Sequence, residues 1–385
     1  MILPRKIENG GVTVPEGFTA GAVYAGIKSY KSYKPDVAVL LSDRPAACAA
    51  LFTTNRFCAA PVTLGREIAA GGYVRGIVIN SGNANAGTGE PGMAAAREVE
   101  AYAEQVFGLE PGSLLVSSTG VIGEQLPVCK MRSALDQIRP RMSRAEGSQA
   151  AWAIMTTDRR RKEGAWELPL SGGTVRLGIM AKGSGMIHPN MATTLCFITT
   201  DAVMEPCPMK AMLKKACDES FHALTVDGDT STNDSLIMLA SGASGIAVDN
   251  PADEAAMEEL LETVLAEMAR RIAADGEGAQ KTLTVAVKGL ADKEEARRVA
   301  RSICRSNSVK AAFGHGGLSK ALVLSAAGAA MADSSGDFSK VECELTKDDE
   351  DVFVHLDFHE GSGEAQAYGC DLTGEYVRIN GDYRT

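Results

Sequence analysis

The sequence predicts an α/β fold, and three observations predict it. Apolar strand-like runs, glycine-containing turns and helix-like stretches alternate early in the chain. Glycine supplies 40 of the 385 residues, so many close backbone approaches are expected. Hydrophobic residues make up 45% of the chain but aromatics only 5%, so Ala, Val, Ile and Leu must do most of the packing. This length allows one large or two ordinary domains, because single cores stop growing at roughly 250 to 300 residues. No repeat or linker separates two halves, and the domain count stays open.

Taken in order, Val37 to Leu41 reads as a buried strand between Pro35 and Ser42-Asp43, and Ile77 to Ile79 as another before Asn80-Ser81-Gly82. Pro91 to Val106, rich in Ala and Glu, reads as a helix. The clearest helix starts at Asn250 as N-cap, with Pro251 at the first position and Asp253 and Glu254 suited to the positive end of the helix dipole. Met257, Leu260, Leu261, Val264, Leu265, Met268 and Ile272 then recur on one face until Asp275-Gly276. Thr282 to Val287 alternates as a strand, and Lys293 to Cys304 and Leu318 to Met331 are helical. Val341 to Leu345, Val352 to Leu356 and Tyr376 to Ile379 read as strands.

The net charge of -10 argues against nucleic acid as a partner. The one basic run, Arg159-Arg160-Arg161-Lys162, is short and lacks interleaved aromatics, and is expected to be a solvated loop or an anion contact. Nine cysteines form no C-x-x-C pair, the start has no apolar leader, and no apolar stretch approaches the ~18 residues of a membrane span. A reduced, cytoplasmic protein without a membrane segment is the expectation. Gly183-Ser184-Gly185 lacks the third glycine of a dinucleotide loop, and Gly314 to Lys320 lacks the order of a phosphate loop. Asp227-Gly228-Asp229 opens like a calcium loop, but Thr232 and Met238 stand where glycine and glutamate are needed. The five histidines form no zinc pattern, so no metal is expected.

One segment carries chemistry. From Lys182 to Thr200, a Gly-x-Gly and a Pro-Asn precede Ala192, Thr193, Thr194 and a β-branched apolar run. A threonine hydroxyl is a poor nucleophile unless a base takes its proton, and no Ser/His/Asp order is evident. An N-terminal threonine solves this locally, since its α-amine has an ordinary pKa of roughly 7.7 to 8.0 and reaches its own hydroxyl. That base exists only after the Ala192–Thr193 bond is cut, by attack of the Thr193 hydroxyl on the preceding carbonyl and hydrolysis of the resulting ester. Read from the residues alone, a Gly-Pro turn before a buried strand is the competing explanation.

Lys182 to Leu195 resembles the self-cleavage segment of the glutamate N-acetyltransferase, or ornithine acetyltransferase, family of arginine biosynthesis. The resemblance extends over Phe52 to Arg56, Asn80 to Ala86, Ser118 to Gly123, Thr225 to Asp234, Asp275 to Ala279, Gly369 to Thr373 and Tyr383 to Thr385. It implies an α/β fold of the N-terminal-nucleophile type, with an α chain of residues 1–192 and a β chain of 193–385 folded together and assembled as an α2β2 heterotetramer. The implied activity is ping-pong transfer of acetyl from N2-acetyl-L-ornithine to L-glutamate through acetyl-Thr193. No cofactor is implied, and acetyl-CoA stays open as a second acetyl donor.

Carried over by position, the resemblance makes Thr193 the nucleophile, the Thr119 hydroxyl and Gly120 N–H the oxyanion hole, and Thr156, Lys182, Thr193, Glu277, Asn380 and Thr385 the substrate contacts. Lys182 suits an α-carboxylate, Glu277 an ammonium, and Asn380 offers both donor and acceptor. Two stretches depart from the family: the basic run at 159–162 replaces a Phe-Pro-Lys-like stretch, and His315 to Lys320 replaces an Asp-x-Asn-Trp-Gly-Arg block. An N-terminal-threonine aminopeptidase or amidase, and a non-cleaving binding protein, are the alternatives.

Overall fold

Two sheets carry the structure, a computed structural model that describes residues 3–28, 33–188, 194–332, 337–348 and 350–381. The larger contains β1 (Arg5–Ile7), β2 (Phe18–Val23), β3 (Val37–Phe52), β4 (Tyr73–Asn83), β5 (Leu114–Val121), β6 (Lys162–Leu170), β7 (Gly173–Lys182), β8 (Leu195–Thr200) and β9 (Ser235–Ala240). Its order is β1-β6-β7-β8-β9-β3-β4-β5, with β2 also on β3. The pairs β4·β5 and β8·β9 are parallel and the others antiparallel. Strand β3 is long enough to serve three neighbours. Its Val37–Leu41 part pairs with β2 and β4, its register shifts before Ala46, and its Ala47–Phe52 part pairs with β9.

Strict alternation explains why both faces of this sheet are covered. Cys196, Ile198, Leu236 and Met238 point into one core, while Leu195, Phe197, Ile237 and Leu239 point into the other. The helices are α1 (Ala60–Ala69), α2 (Gly89–Phe107), α3 (Val128–Ile138), α4 (Gly147–Ala153), α5 (Pro206–Glu219) and α6 (Pro251–Ala274). The first core is closed by α5 and α6, and α4 lies on the second. The α6 stripe from Met257 to Ile272 is buried throughout, and Asn250 Oδ1 accepts from Ala252 N–H and Asp253 N–H at 3.2 and 3.1 Å, as its position as N-cap requires.

The second sheet comprises β10 (Thr282–Leu290), β11 (Glu342–Lys347), β12 (Asp351–Asp357) and β13 (Gly363–Cys370) in the order β11-β12-β10-β13. Helices α7 (Lys293–Arg305), α8 (Asn307–Gly314) and α9 (Lys320–Ala330) share its core. Helix α9 starts two residues later than the apolar run suggests, because the Ser319 hydroxyl caps it by accepting from Leu322 N–H. The expected strand at Tyr376–Ile379 is instead part of α10 (Gly374–Gly381). The segment pairs with no strand among the described residues, and local contacts hold its turn: Arg378 pairs with Glu375, and Asn380 Nδ2 donates to Tyr376 O. Among the described residues, no helix is long and apolar enough to cross a membrane.

Candidate active site

At one end of the large sheet, strand ends and loops surround a cavity of about 80 Å³. Thr119 and Gly120 enter it from the end of β5, Thr156 from beyond α4, Lys182 from the last position of β7, Glu277 from beyond α6, and Asn380 from α10. Six predicted residues therefore share one wall system. Ala192, Thr193 and Thr385 lie outside the described residues. The chain positions on either side of the expected cut, Met186 and Thr194, both line the cavity.

Ser118-Thr119-Gly120 is the end of a strand, and a polar network holds it. Asn233 Nδ2 donates to Ala84 O at 2.6 Å and to Ser118 O at 2.9 Å, while Ser118 Oγ donates to Asn80 Oδ1 at 2.6 Å. Asn80 and Asn83 in turn tie the end of β4 to Asn83 O, Glu124 O and Gln125 O. The asparagine-rich block at 80–86 thus satisfies buried backbone carbonyls around the Thr119–Gly120 step. Gly120 has φ +131°, and a Cβ there would strike the Gly82 backbone, so its glycine is a geometric requirement.

Lys182 is 7% exposed. Its Nζ donates to Thr156 Oγ1 at 2.7 Å and reaches Thr119 Oγ1 at 3.5 Å, with Asp158 Oδ2 3.9 Å away. Asp158 also accepts from Gly183 N–H at 2.8 Å and from Lys162 Nζ at 2.7 Å. Burial opposes ionisation of this carboxyl, but Lys162 and Lys182 outweigh it and hold Asp158 well below the usual carboxylate range. Lys162 is buried between Asp158 and Asp275, 2.6 Å from the latter. The basic run is therefore not uniformly a solvated loop. Arg159, Arg160 and Arg161 are exposed, whereas Lys162 neutralises two interior carboxylates.

The Gly-x-Gly loop is fastened at each step. Ser184 Oγ donates to Asp275 O at 2.7 Å, Glu277 N–H to Ser184 O at 2.9 Å, and Asp227 accepts from Met186 N–H and Ile187 N–H at 2.6 and 2.8 Å. Glu277 is buried, and its Oε2 accepts from Asn380 Nδ2 at 2.7 Å. A side chain at Gly185 would collide with the Glu277 carboxylate, so glycine there keeps that acid facing the cavity.

Sequence reasoning missed Asp158, Lys162, Thr194 and Asp234. Thr194 and Asp234 stood inside the blocks that carry the resemblance, whereas Asp158 and Lys162 stood outside them. Among the described residues, no three His, Cys, Asp or Glu side chains gather as a metal-binding group.

The model of the ArgJ family matches residues 19–385. The chain is 43% identical over 397 residues to the arginine biosynthesis bifunctional protein ArgJ of Symbiobacterium thermophilum, covering 98% of this chain and 99% of that one. It is 42% identical over 402 residues to the protein of the same name from Dehalococcoides mccartyi, covering 98% of each. The solved ornithine acetyltransferase of Mycobacterium tuberculosis, complexed with ornithine, is 36% identical, covers 49% of this chain and 100% of its own, and superposes with a TM-score of 0.45. The chain belongs to the ArgJ family.

Proposed function

We propose that the chain is an acetyltransferase that moves the acetyl group of N2-acetyl-L-ornithine to L-glutamate in arginine biosynthesis, through an acetyl ester on Thr193. One observation carries this reading: Thr119, Gly120, Thr156, Lys182, Glu277 and Asn380, from five separate stretches of chain, line one cavity together with Thr194. The name of the relatives, arginine biosynthesis bifunctional protein, supports the pathway.

In this reading the chain first cuts itself between Ala192 and Thr193, giving α (1–192) and β (193–385) chains. Strands β7 and β8 flank the cut and pair in the register Lys182 with Leu195, so cutting leaves both pieces in one sheet. The freed α-amine takes the Thr193 hydroxyl proton, and the oxygen attacks the acetyl carbonyl. Negative charge on the acetyl oxygen is met by the Thr119 hydroxyl and Gly120 N–H. Ornithine leaves, and the glutamate amine attacks the ester. Lys182 meets the α-carboxylate, Glu277 an ammonium, and Thr156, Asn380 and Thr385 complete the contacts. The two chains assemble as α2β2 in the cytoplasm, no cofactor is needed, and acetyl-CoA serves as a second acetyl donor.

Incubation of purified protein with acetylornithine and glutamate tests the reading. Acetylglutamate is expected to form only with both present, and its absence overturns the proposal. On denaturing electrophoresis two bands near half of 40.4 kDa are expected, and a Thr193→Ala variant should run as one.

A further inference from the structure

Among the described residues, two buried oxygen atoms of cavity-lining side chains have no hydrogen-bond partner: Thr194 Oγ1 and Asp234 Oδ2. Their residues are 4% and 2% exposed. They are also neighbours across a parallel strand pair. Leu195 is in register with Ser235, and Ser235 N–H donates to Thr194 O at 3.0 Å, so one step back along both strands brings Thr194 beside Asp234. A buried polar atom left unsatisfied is destabilising. Two of them on adjacent residues that both line the cavity mark a place where a polar group of the substrate docks.

Resting on the acetyl-Thr193 reading, we propose that Asp234 is a catalytic acid and base for the transferred amine, with Thr194 orienting the substrate amide beside it. An amide nitrogen cannot depart as an anion and needs a proton as its bond to the acyl carbon breaks. The Thr193 α-amine, having taken the hydroxyl proton, becomes an ammonium; Asp234 supplies the separate proton that leaves with the departing amine. The bond from Thr193 Oγ to the acyl carbon forms, the carbon–nitrogen bond breaks, and Asp234 becomes a carboxylate. In the second half the incoming amine attacks the ester, its surplus proton returns to Asp234, and the ammonium of Thr193 returns its proton to Oγ.

Burial pushes the Asp234 carboxyl well above the usual carboxylate range, against the opposing effects of a Ser231 hydrogen bond and the Lys182 charge, and so favours its protonated form. Among the described residues, Lys182 at the end of β7 and Glu277 beyond α6 are the other charged groups that line this cavity.

The test compares two acetyl donors by mass spectrometry of acetylated β chain: acetylornithine, whose amine needs a proton to leave, and p-nitrophenyl acetate, whose phenolate does not. The ratio of amide-donor to ester-donor acetylation rates should fall about 100-fold in Asp234→Asn. A ratio equal to that of the unmodified enzyme overturns the proposal, because a structural lesion slows both donors together. Should Asp234→Asn remain a single uncut chain, Thr194→Val carries the test: its ratio should fall about fivefold, and an unchanged ratio overturns the proposal. Failure of the unmodified enzyme to acquire acetyl from either donor instead overturns the acyl-Thr193 reading, and this proposal with it.

Discussion

Lys162 joins Asp158 and Asp275, at 2.7 and 2.6 Å, in a nearly solvent-free triad behind the cavity. Replacing it with Met would leave two interior carboxylates facing one another, an effect of roughly 3–5 kcal/mol that a urea titration should register as a lower midpoint. Asp158 gives this triad its pH dependence. Its folded pKa is depressed, so its contribution is complete above the ordinary Asp value of about 3.9 and disappears as pH falls through the folded value. Stability followed by circular dichroism should therefore drop below about pH 4, and an Asp158→Asn variant should show a shallower drop from a lower starting stability. Asp158 lies four residues before Lys162, but Asp275 lies 113 residues away, so the sequence does not announce the triad. Three exposed arginines beside it make the run read as solvent-facing.

At the scale of single elements, legibility follows the range of the interactions. Helix α6 was readable from its cap and stripe because those signals lie within the segment. An Asn250→Ala change should cost about 1 kcal/mol, seen as a lower thermal midpoint. The α10 segment was misread because Tyr376, Val377 and Ile379 have strand-like side chains, whereas a strand needs a neighbour and this segment has none. The end of β5 is the most demanding element of the site. A Gly120→Ala variant would push against the Gly82 backbone, displacing the N–H proposed for the oxyanion hole. We expect acetyl transfer to fall at least ~100-fold, measured as kcat.

For the whole molecule, the α/β class was legible from composition and alternation, and six of the residues that line the cavity were named by resemblance. The cavity itself was not, because spacing cannot reveal that Thr119, Thr156, Lys182, Glu277 and Asn380 meet. The sheet also sets how the processed protein behaves. With β7 and β8 paired along Leu177–Lys182 and Leu195–Thr200, the α and β chains should co-elute in gel filtration under native conditions and separate only in denaturant. Two bands that separate without denaturant would contradict the proposed processing.

The placement of Asn380 on the cavity wall also has a consequence for timing during synthesis. Ribosomes add roughly 5–20 residues per second, so the roughly 190 residues between Thr193 and Asn380 take on the order of 10–40 s to appear. Strand β3 likewise waits for β9 before its second half has a partner. If the proposed cut depends on this assembled cavity, it should come only once translation is nearly finished.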